Sequence, residues 1–319
     1  SGRGLIIPRR AHKTLNTPQK SVAILKPDPQ QIDPDFLYFA ILSEIRRLID
    51  AAGGTAQKNL LLRDIRAFSV RVPSRSIQER VVTILSPFDR LITVNENRIE
   101  SLQSLARLLY RQATSDANVS GARQLFTSSI FWRFVSENVG RYGGTKRYYA
   151  TADIDGLDVV GDGVDVSYEQ KPSRAQKQPD KCTVWFARMK DTYKVAWYGP
   201  SDGTRAAGHV LSSGFAGFQA AEEEFFPLLL LTISSREFQA EKNRYCTGAT
   251  QMSLTNEGLS RIAVPLPTEQ EARWLGRSAA PVLAQISVLQ TANRGLREVR
   301  RLVLERIFSK EVSPEVSLS

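Results

Sequence analysis

Cysteine and histidine are nearly absent from this 319-residue chain, which has two of each: Cys182, Cys246, His12 and His209. Two distant cysteines exclude a disulfide framework and any CxxC metal spacing, and they fit a reducing cytoplasm. Two isolated histidines are too few for a zinc centre or a Ser-His-Asp triad, and each reads as a surface or DNA-facing residue. Long apolar runs are missing too. The best, Phe225 to Ile233, falls short of the roughly 20 residues of a membrane-spanning helix, and no signal peptide opens the chain. GGTKR at Gly143 to Arg147 lacks the G-x-x-x-x-G-K-[ST] phosphate loop, which excludes ATP-driven chemistry by that route. No [DNS]PP[YFW] stretch is present to hold a flipped adenine for methylation. Asp153, Asp155, Asp158, Asp162 and Asp165 do not follow the order of a calcium-binding loop, and their glycines make ordinary turns. No cofactor, metal or catalytic site is expected.

What the chain does have is positive charge and repetition. Lys and Arg number 43 against 33 Asp and Glu, a formal charge of +10, which favours a polyanionic partner such as nucleic acid. With 42% hydrophobic residues the chain can bury more than one core. The phrase GGTAQKNL, Gly53 to Leu60, returns as TGATQMSL, Thr247 to Leu254. Aligning Gly54 with Gly248 sets an offset of 248 − 54 = 194, which also pairs Gln57 with Gln251 and Leu60 with Leu254.

The same offset carries downstream. IRAFSVRVP (Ile65 to Pro73) and LSRIAVPLP (Leu259 to Pro267) are both β-prone runs ending at proline. Each leads into a helix start, read as the capping boxes Ser76-Ile77-Gln78-Glu79 and Thr268-Glu269-Gln270-Glu271. The boxes lie 192 apart, whereas Pro87 and Pro281 return to 194, so the second copy is expected to carry two extra residues between cap and proline. Each proline is expected to kink or restart its helix.

Beyond the prolines run two long periodic segments. Phe88, Ile92, Asn95, Ile99, Leu102, Ala106 and Leu109 form a four-three seam, and Val282, Ile286, Leu289, Asn293, Leu296, Arg300 and Val303 occupy the same positions of the second copy. Segments of about 25 residues give rods of roughly 40 Å. Narrow seams with charged flanks favour the two helices pairing with each other, with Asn95 and Asn293 fixing register; the alternative is that each covers its own domain.

Between the helices, KRYYATADIDGLDVVGDGVDVSYEQ places Asp155-Gly156 and Asp162-Gly163 between alternating apolar residues and reads as hairpins. KCTVWFARMKDTYKVAWYG, Lys181 to Gly199, reads as two strands turning near Lys190-Asp191, and FFPLLLLTISSREF as a buried helix. This segment is a mixed, mostly β globule.

An extended segment and apolar helix, G-x-x-Q, a β run ending in proline and a Gln-capped long helix, present twice around a globule, resemble the specificity subunit of a type I restriction-modification system. GGTAQKNL, VPSRSIQERVV and LARLLYRQ carry the resemblance in the first half; TGATQMSL, VPLPTEQEARWL and VRRLVLERIF carry it in the second. The resemblance implies an α+β fold of two mixed, mostly β target recognition domains separated by two long helices paired as an antiparallel coiled coil. On that reading, residues 1–75 are a partial first recognition domain, 76–112 the first spacer helix, 113–267 the second recognition domain, 268–309 the second spacer helix and 310–319 a tail. The first domain looks half missing, with roughly 75 residues against about 155. Implied with the fold are a non-catalytic role, a bipartite site on double-stranded DNA, docking of two methyltransferase subunits, restriction subunits in the full complex, and a cytoplasmic location without membrane contact. Rods of roughly 40 Å would hold two readers about one DNA turn apart.

Candidate DNA contacts follow charge. Lys171, Arg174, Lys177, Lys181, Arg188, Lys190 and Lys194 cluster within residues 171–194, interleaved with Trp185, Phe186 and Tyr193; the alternative is a solvated basic hairpin. Lys146, Arg147 and Arg205 sit beside glycine turns, and Arg9, Arg10 and Lys13, with Arg3, form a run in the first globule. Gln57 and Gln251 either approach DNA or hydrogen-bond their own loops, the second being preferred. Two other readings remain open: a solitary coiled-coil DNA-binding protein, and a protein-protein scaffold whose charge aids solubility.

Overall fold

The computed structural model describes residues 25–51, 62–249 and 251–310. Arg3, Arg9, Arg10, His12, Lys13, the first repeat phrase with Gln57, and residues 311–319 lie outside the described residues. The first helices are α1 (Pro34–Ser43), α2 (Ile45–Ala51), α3 (Leu62–Ala67), the long α4 (Arg75–Ala113) and α5 (Ser115–Ser120). Strands follow as β1 (Gln124–Leu125), β2 (Trp132–Val135), β3 (Thr145–Tyr149), β4 (Ile154–Asp155), β5 (Asp158–Val159), β6 (Val164–Ser167), β7 (Ala175–Lys177), β8 (Thr183–Ala187) and β9 (Val195–Tyr198). Then come α6 (Gly203–Ala207), β10 (His209–Ser212), β11 (Phe215–Ala220), α7 (Phe226–Ser234), α8 (Arg236–Arg244), β12 (Cys246–Thr247), β13 (Ser253–Leu254), α9 (Asn256–Ser260), β14 (Ala263–Val264) and the long α10 (Glu269–Lys310). The chain divides into two compact units, residues 1–97 with 291–319, and residues 98–290; α4 and α10 each contribute a part to both.

In the first unit α1 is set by Asp33, whose carboxylate accepts from the backbone N–H groups of Asp35 and Phe36, with Pro34 opening the helix. Gln78 is buried and ties α4 to this cap: its Oε1 accepts from the Asp33 N–H at 2.8 Å and its amide donates to the Pro73 carbonyl at 2.9 Å. Phe36, Phe39 and Ala40 then pack on Val81 and Leu85 of α4 and on Leu304 and Ile307 of α10. Here the long helices run antiparallel. Asn95 donates to Asn293 Oδ1 at 2.8 Å, Arg297 pairs with Glu96, and the earlier Asp89 pairs with the later Arg300.

Asn293 is buried and also reaches the Ile92 carbonyl. Replacing it by leucine strands the Asn95 amide against an apolar neighbour, and a loss of about 1–3 kcal/mol is expected in thermal denaturation. The double variant Asn95→Leu/Asn293→Leu removes both polar partners and should recover most of that loss; an Asn293→Leu protein as stable as the parent would remove the pair from the account.

Both helices pass through their prolines, Pro87 and Pro281, without restarting. Their starts, Arg75 and Glu269, are 269 − 75 = 194 apart, so no extra residues intervene in the second copy. The first cap falls on Ser74, whose carbonyl accepts from Ile77 and Gln78, and Glu79 is engaged by Arg75 instead of completing a box with Ser76. Thr268 and Glu271 do form the expected reciprocal box. The first β-prone run also departs from expectation: Leu62–Ala67 is helical, and Phe68–Ser74 joins no ladder among the described residues. In the second copy the strand exists because β1 is there to pair with β14, Gln124 opposite Val264.

The second unit holds the sheets. Strands β2, β11, β8 and β9, in that order, make one antiparallel sheet, and β6, β3, β10 and β7 a second, in which β3 and β10 run parallel. Strands β8, β9 and β11 of the first sheet are buried on both faces, which is why they read as nearly continuous apolar runs. Trp132, Val184, Phe186 and Phe218 join α7, α8 and the long helices, while Trp185, Ala187, Phe215 and Tyr198 face Leu211 and Ile154. Gly217 lies opposite Trp185, and a Cβ there would come within 2.3 Å of the indole. The apolar FFPLLLLTISSREF folds as two helices, the first buried from Phe226 to Ile233, the second restarted by Ser235, which caps α8. The Lys181–Gly199 hairpin and the Asp155-Gly156 turn form as expected, whereas Asp162-Gly163 leads from β5 into a different sheet and closes no hairpin. The seam is also used here: Ile99, Leu102, Ala106 and Leu109 share one core with Val282, Leu283 and Ile286.

Candidate nucleic-acid interface

Where β2 leaves the first sheet, the chain turns over Ser136–Val139 and lies along β7, bridging Asn138 to Lys177. This crossing leaves an open groove of about 480 Å³ lined by Arg133, Val135, Glu137, Asn138, Arg141, Tyr142, Lys146, Gln178, Asp180, Thr183 and Gln219, among others. Lys146 stands on β3, its ammonium 4.9 Å from the Tyr142 ring and 2.6 Å from Gln178 Oε1. Gln178 is fixed in turn by the Pro179 and Ala206 carbonyls. Burial lowers the pKa of Lys146. Lys177 does not line the groove but holds its wall, donating to Asn138 Oδ1 at 2.9 Å and to the Ser136 carbonyl. Burial, and then the Arg188 charge, lower its pKa against a raising pull from Glu137.

Four of the expected contacts therefore gather around one sheet. Lys146, Lys177, Lys171 and Arg174 lie on or beside β3 and β7; Lys171 reaches the Ala175 carbonyl and the Tyr168 ring, and Arg174 is exposed. Arg147, also on β3, is taken up by Asp165 and the Asp162 carbonyl.

The others are drawn into the scaffold. Lys181 pairs with Glu223 at 2.9 Å, which raises its pKa. Arg188 donates to the Leu254 carbonyl and to Asn256, and with the Met189–Ser253 bridge it anchors the second repeat phrase. Burial lowers its pKa. Lys190 meets the Met252 sulfur, and Lys194 donates to the Ile154 carbonyl. Arg205 is held by Asp202 and the Trp197 carbonyl over the Tyr198 ring. Trp185 and Phe186 are core residues and cannot stack on bases. His209 is half-buried: it hydrogen-bonds the Tyr198 hydroxyl at 3.0 Å and packs edge-on against Tyr149. Gln251 is exposed, and its carbonyl lies 2.7 Å from where a Cβ on Gly248 would stand, a tight loop with Gly248 at φ 129°.

Charge clustering passed over Arg133, Arg141, Asn138, Gln178 and Gln219. Only Arg133 left a signal, as the single charged residue in the apolar strand Phe131-Trp132-Arg133-Phe134-Val135. Among the described residues, no group of three or more His, Cys, Asp or Glu is arranged to hold a metal, and no helix is long and apolar enough to cross a membrane.

The groove thus sets Arg133, Arg141 and Lys146 against Glu137 and Asp180, with the amides of Asn138, Gln178 and Gln219 between them. Residues 12–104 match the family described as type I restriction modification DNA specificity domain. No curated protein sequence matches the chain. Among solved structures it is similar to the S subunit of a type I restriction-modification system from M. genitalium, at 16% identity and a TM-score of 0.43, covering 88% of this chain and 74% of that one. It is also similar to the HsdS subunit from Thermoanaerobacter tengcongensis, at 17% identity and a TM-score of 0.33, covering 88% and 71%. A third likeness, to a structure concerned with complex assembly and conformational transition of the type I R-M system, has 17% identity and a TM-score of 0.31, covering 89% and 73%.

Proposed function

We propose that the chain reads one half of a bipartite site on double-stranded DNA with the groove beside β2, β3 and β7, without catalysis of its own. The family match over residues 12–104 carries the DNA-binding part of this reading, and the groove, which lies outside those residues, is assigned on its own side chains. The groove supports it by presenting several basic side chains with amide donors and acceptors between them, the mixture needed for phosphate and base contacts.

The long helices dock the methyltransferase subunits and, through them, the restriction subunits. Beyond their seam they keep apolar side chains in solvent: Leu91, Val94, Leu105 and Leu108 on α4, Val288, Val299 and Leu302 on α10. Side chains about half exposed at helical spacing suit a partner helix better than water. A map of methylated adenines in cells with the gene intact and deleted tests the proposal. Loss of one bipartite motif on deletion is the expected result. An unchanged map would leave the solitary DNA-binding protein as the better reading.

A further inference from the structure

Several arginines and lysines of this globule are paired with carboxylates: Arg141 with Glu169, Arg147 with Asp165, Lys181 with Glu223 and Arg205 with Asp202. Arg133 belongs instead with Lys146 and Lys177, which meet the amide oxygens of Gln178 and Asn138. It is exposed, and the partner the structure gives it is a neutral amide, Gln219 Oε1 at 2.5 Å. The arrangement is built by strand register. Trp132 and Phe134 of β2 turn into the core, so Arg133 points to the other face, where it sits directly across from Gln219 of β11, which in turn faces Thr183 of β8. Gln219 has one orientation open to it, because its amide nitrogen donates to the Lys181 carbonyl at 3.2 Å and to Asp180 Oδ2 at 3.5 Å. The oxygen is thereby aimed at Arg133. The guanidinium is tied at one nitrogen and lines the groove.

We infer that Arg133 reads a guanine of the half-site in the major groove, with Gln219 as its positioning residue. A planar fork of donors fits the O6 and N7 acceptors of guanine in pairs, and pre-ordering the fork removes part of the entropy lost on contact. A phosphate needs no such constraint, and the exposed Arg174 is suited to one. The inference rests on the groove being the DNA-reading face.

Selection of bound sequences from a random double-stranded DNA library by the full-length chain tests it. The parent should enrich a motif containing an invariant guanine. Arg133→Gln should relax preference at that one position by roughly 10- to 100-fold while leaving the others intact. Gln219→Ala should blunt the same position less, and Arg174→Gln should weaken all sequences evenly. An even loss, or none, with Arg133→Gln would overturn the base contact while the DNA-reading proposal stood. A parent that enriches no sequence would overturn that proposal and this inference together.

Discussion

Reversing two charges at the groove, Lys146→Glu with Lys177→Glu, is expected to lower DNA affinity by on the order of 100-fold near physiological salt. The slope of log affinity against log salt should flatten by about 2, one counterion per phosphate contact. Lys146 lines the groove over the Tyr142 ring and Lys177 grips Asn138 of its wall, and both are partly withdrawn from water. Burial lowers their pKa values, so their charge is the part of the surface most sensitive to alkaline pH. Affinity should fall as pH rises through the lowered values, since deprotonation removes the attraction. Lys181→Glu serves as the comparison, because its ammonium already answers Glu223 and contributes less net field. Salt titrations by fluorescence anisotropy, with circular dichroism to confirm folding, decide the matter. Equal losses in the double variant and in Lys181→Glu would detach the groove from DNA binding.

Phe126→Ala should produce the largest loss of stability of any single truncation in the second unit. Phe126 is fully buried, with ring centroids 4.9 Å from Trp132, 4.6 Å from Phe218 and 4.8 Å from Phe238. It joins β2, β11 and α8 at one point, so alanine leaves a cavity that no single neighbour can fill. A cost of about 3–5 kcal/mol follows from comparable truncations, a fall in Tm of roughly 10 °C or more for a unit this size. Differential scanning calorimetry measures it directly, and a fall of only a degree or two would show that the cluster repacks.

The helices were the most legible part of the sequence, for a physical reason. A seam of Phe88, Ile92, Ile99, Leu102 and their counterparts has a fixed period, and period survives without knowledge of the partner. Even there the cap was misplaced: Ser76 and Glu79 satisfy the box pattern, but Ser74 precedes them and takes the helix start. Strands were legible where a turn glycine or a steady apolar run marked them, as at Asp155-Gly156 and in β8 and β9. They were not legible in the run from Ile65 to Pro73, because a strand needs a neighbour and sequence does not announce one. The groove was least legible of all. Seven positive charges between residues 171 and 194 suggested one surface, yet Lys181 and Arg188 lie beyond opposite ends of β8, itself about 16 Å of extended chain. Which cations remain available depends on carboxylates distant in sequence, such as Glu223 for Lys181 and Asp165 for Arg147.

The short β1–β14 ladder has a mechanical meaning. Leu125 sits across from Ala263 and Gln124 from Val264, with Phe126 donating to the Ile262 carbonyl at 2.8 Å, so the chain enters and leaves the β globule through one clasp. Everything between residues 126 and 262 is thereby closed into one loop, whose core also packs on α4 and α10 through Ala106, Tyr110, Ala272 and Leu275, so tension along the chain is shared between the clasp and that core.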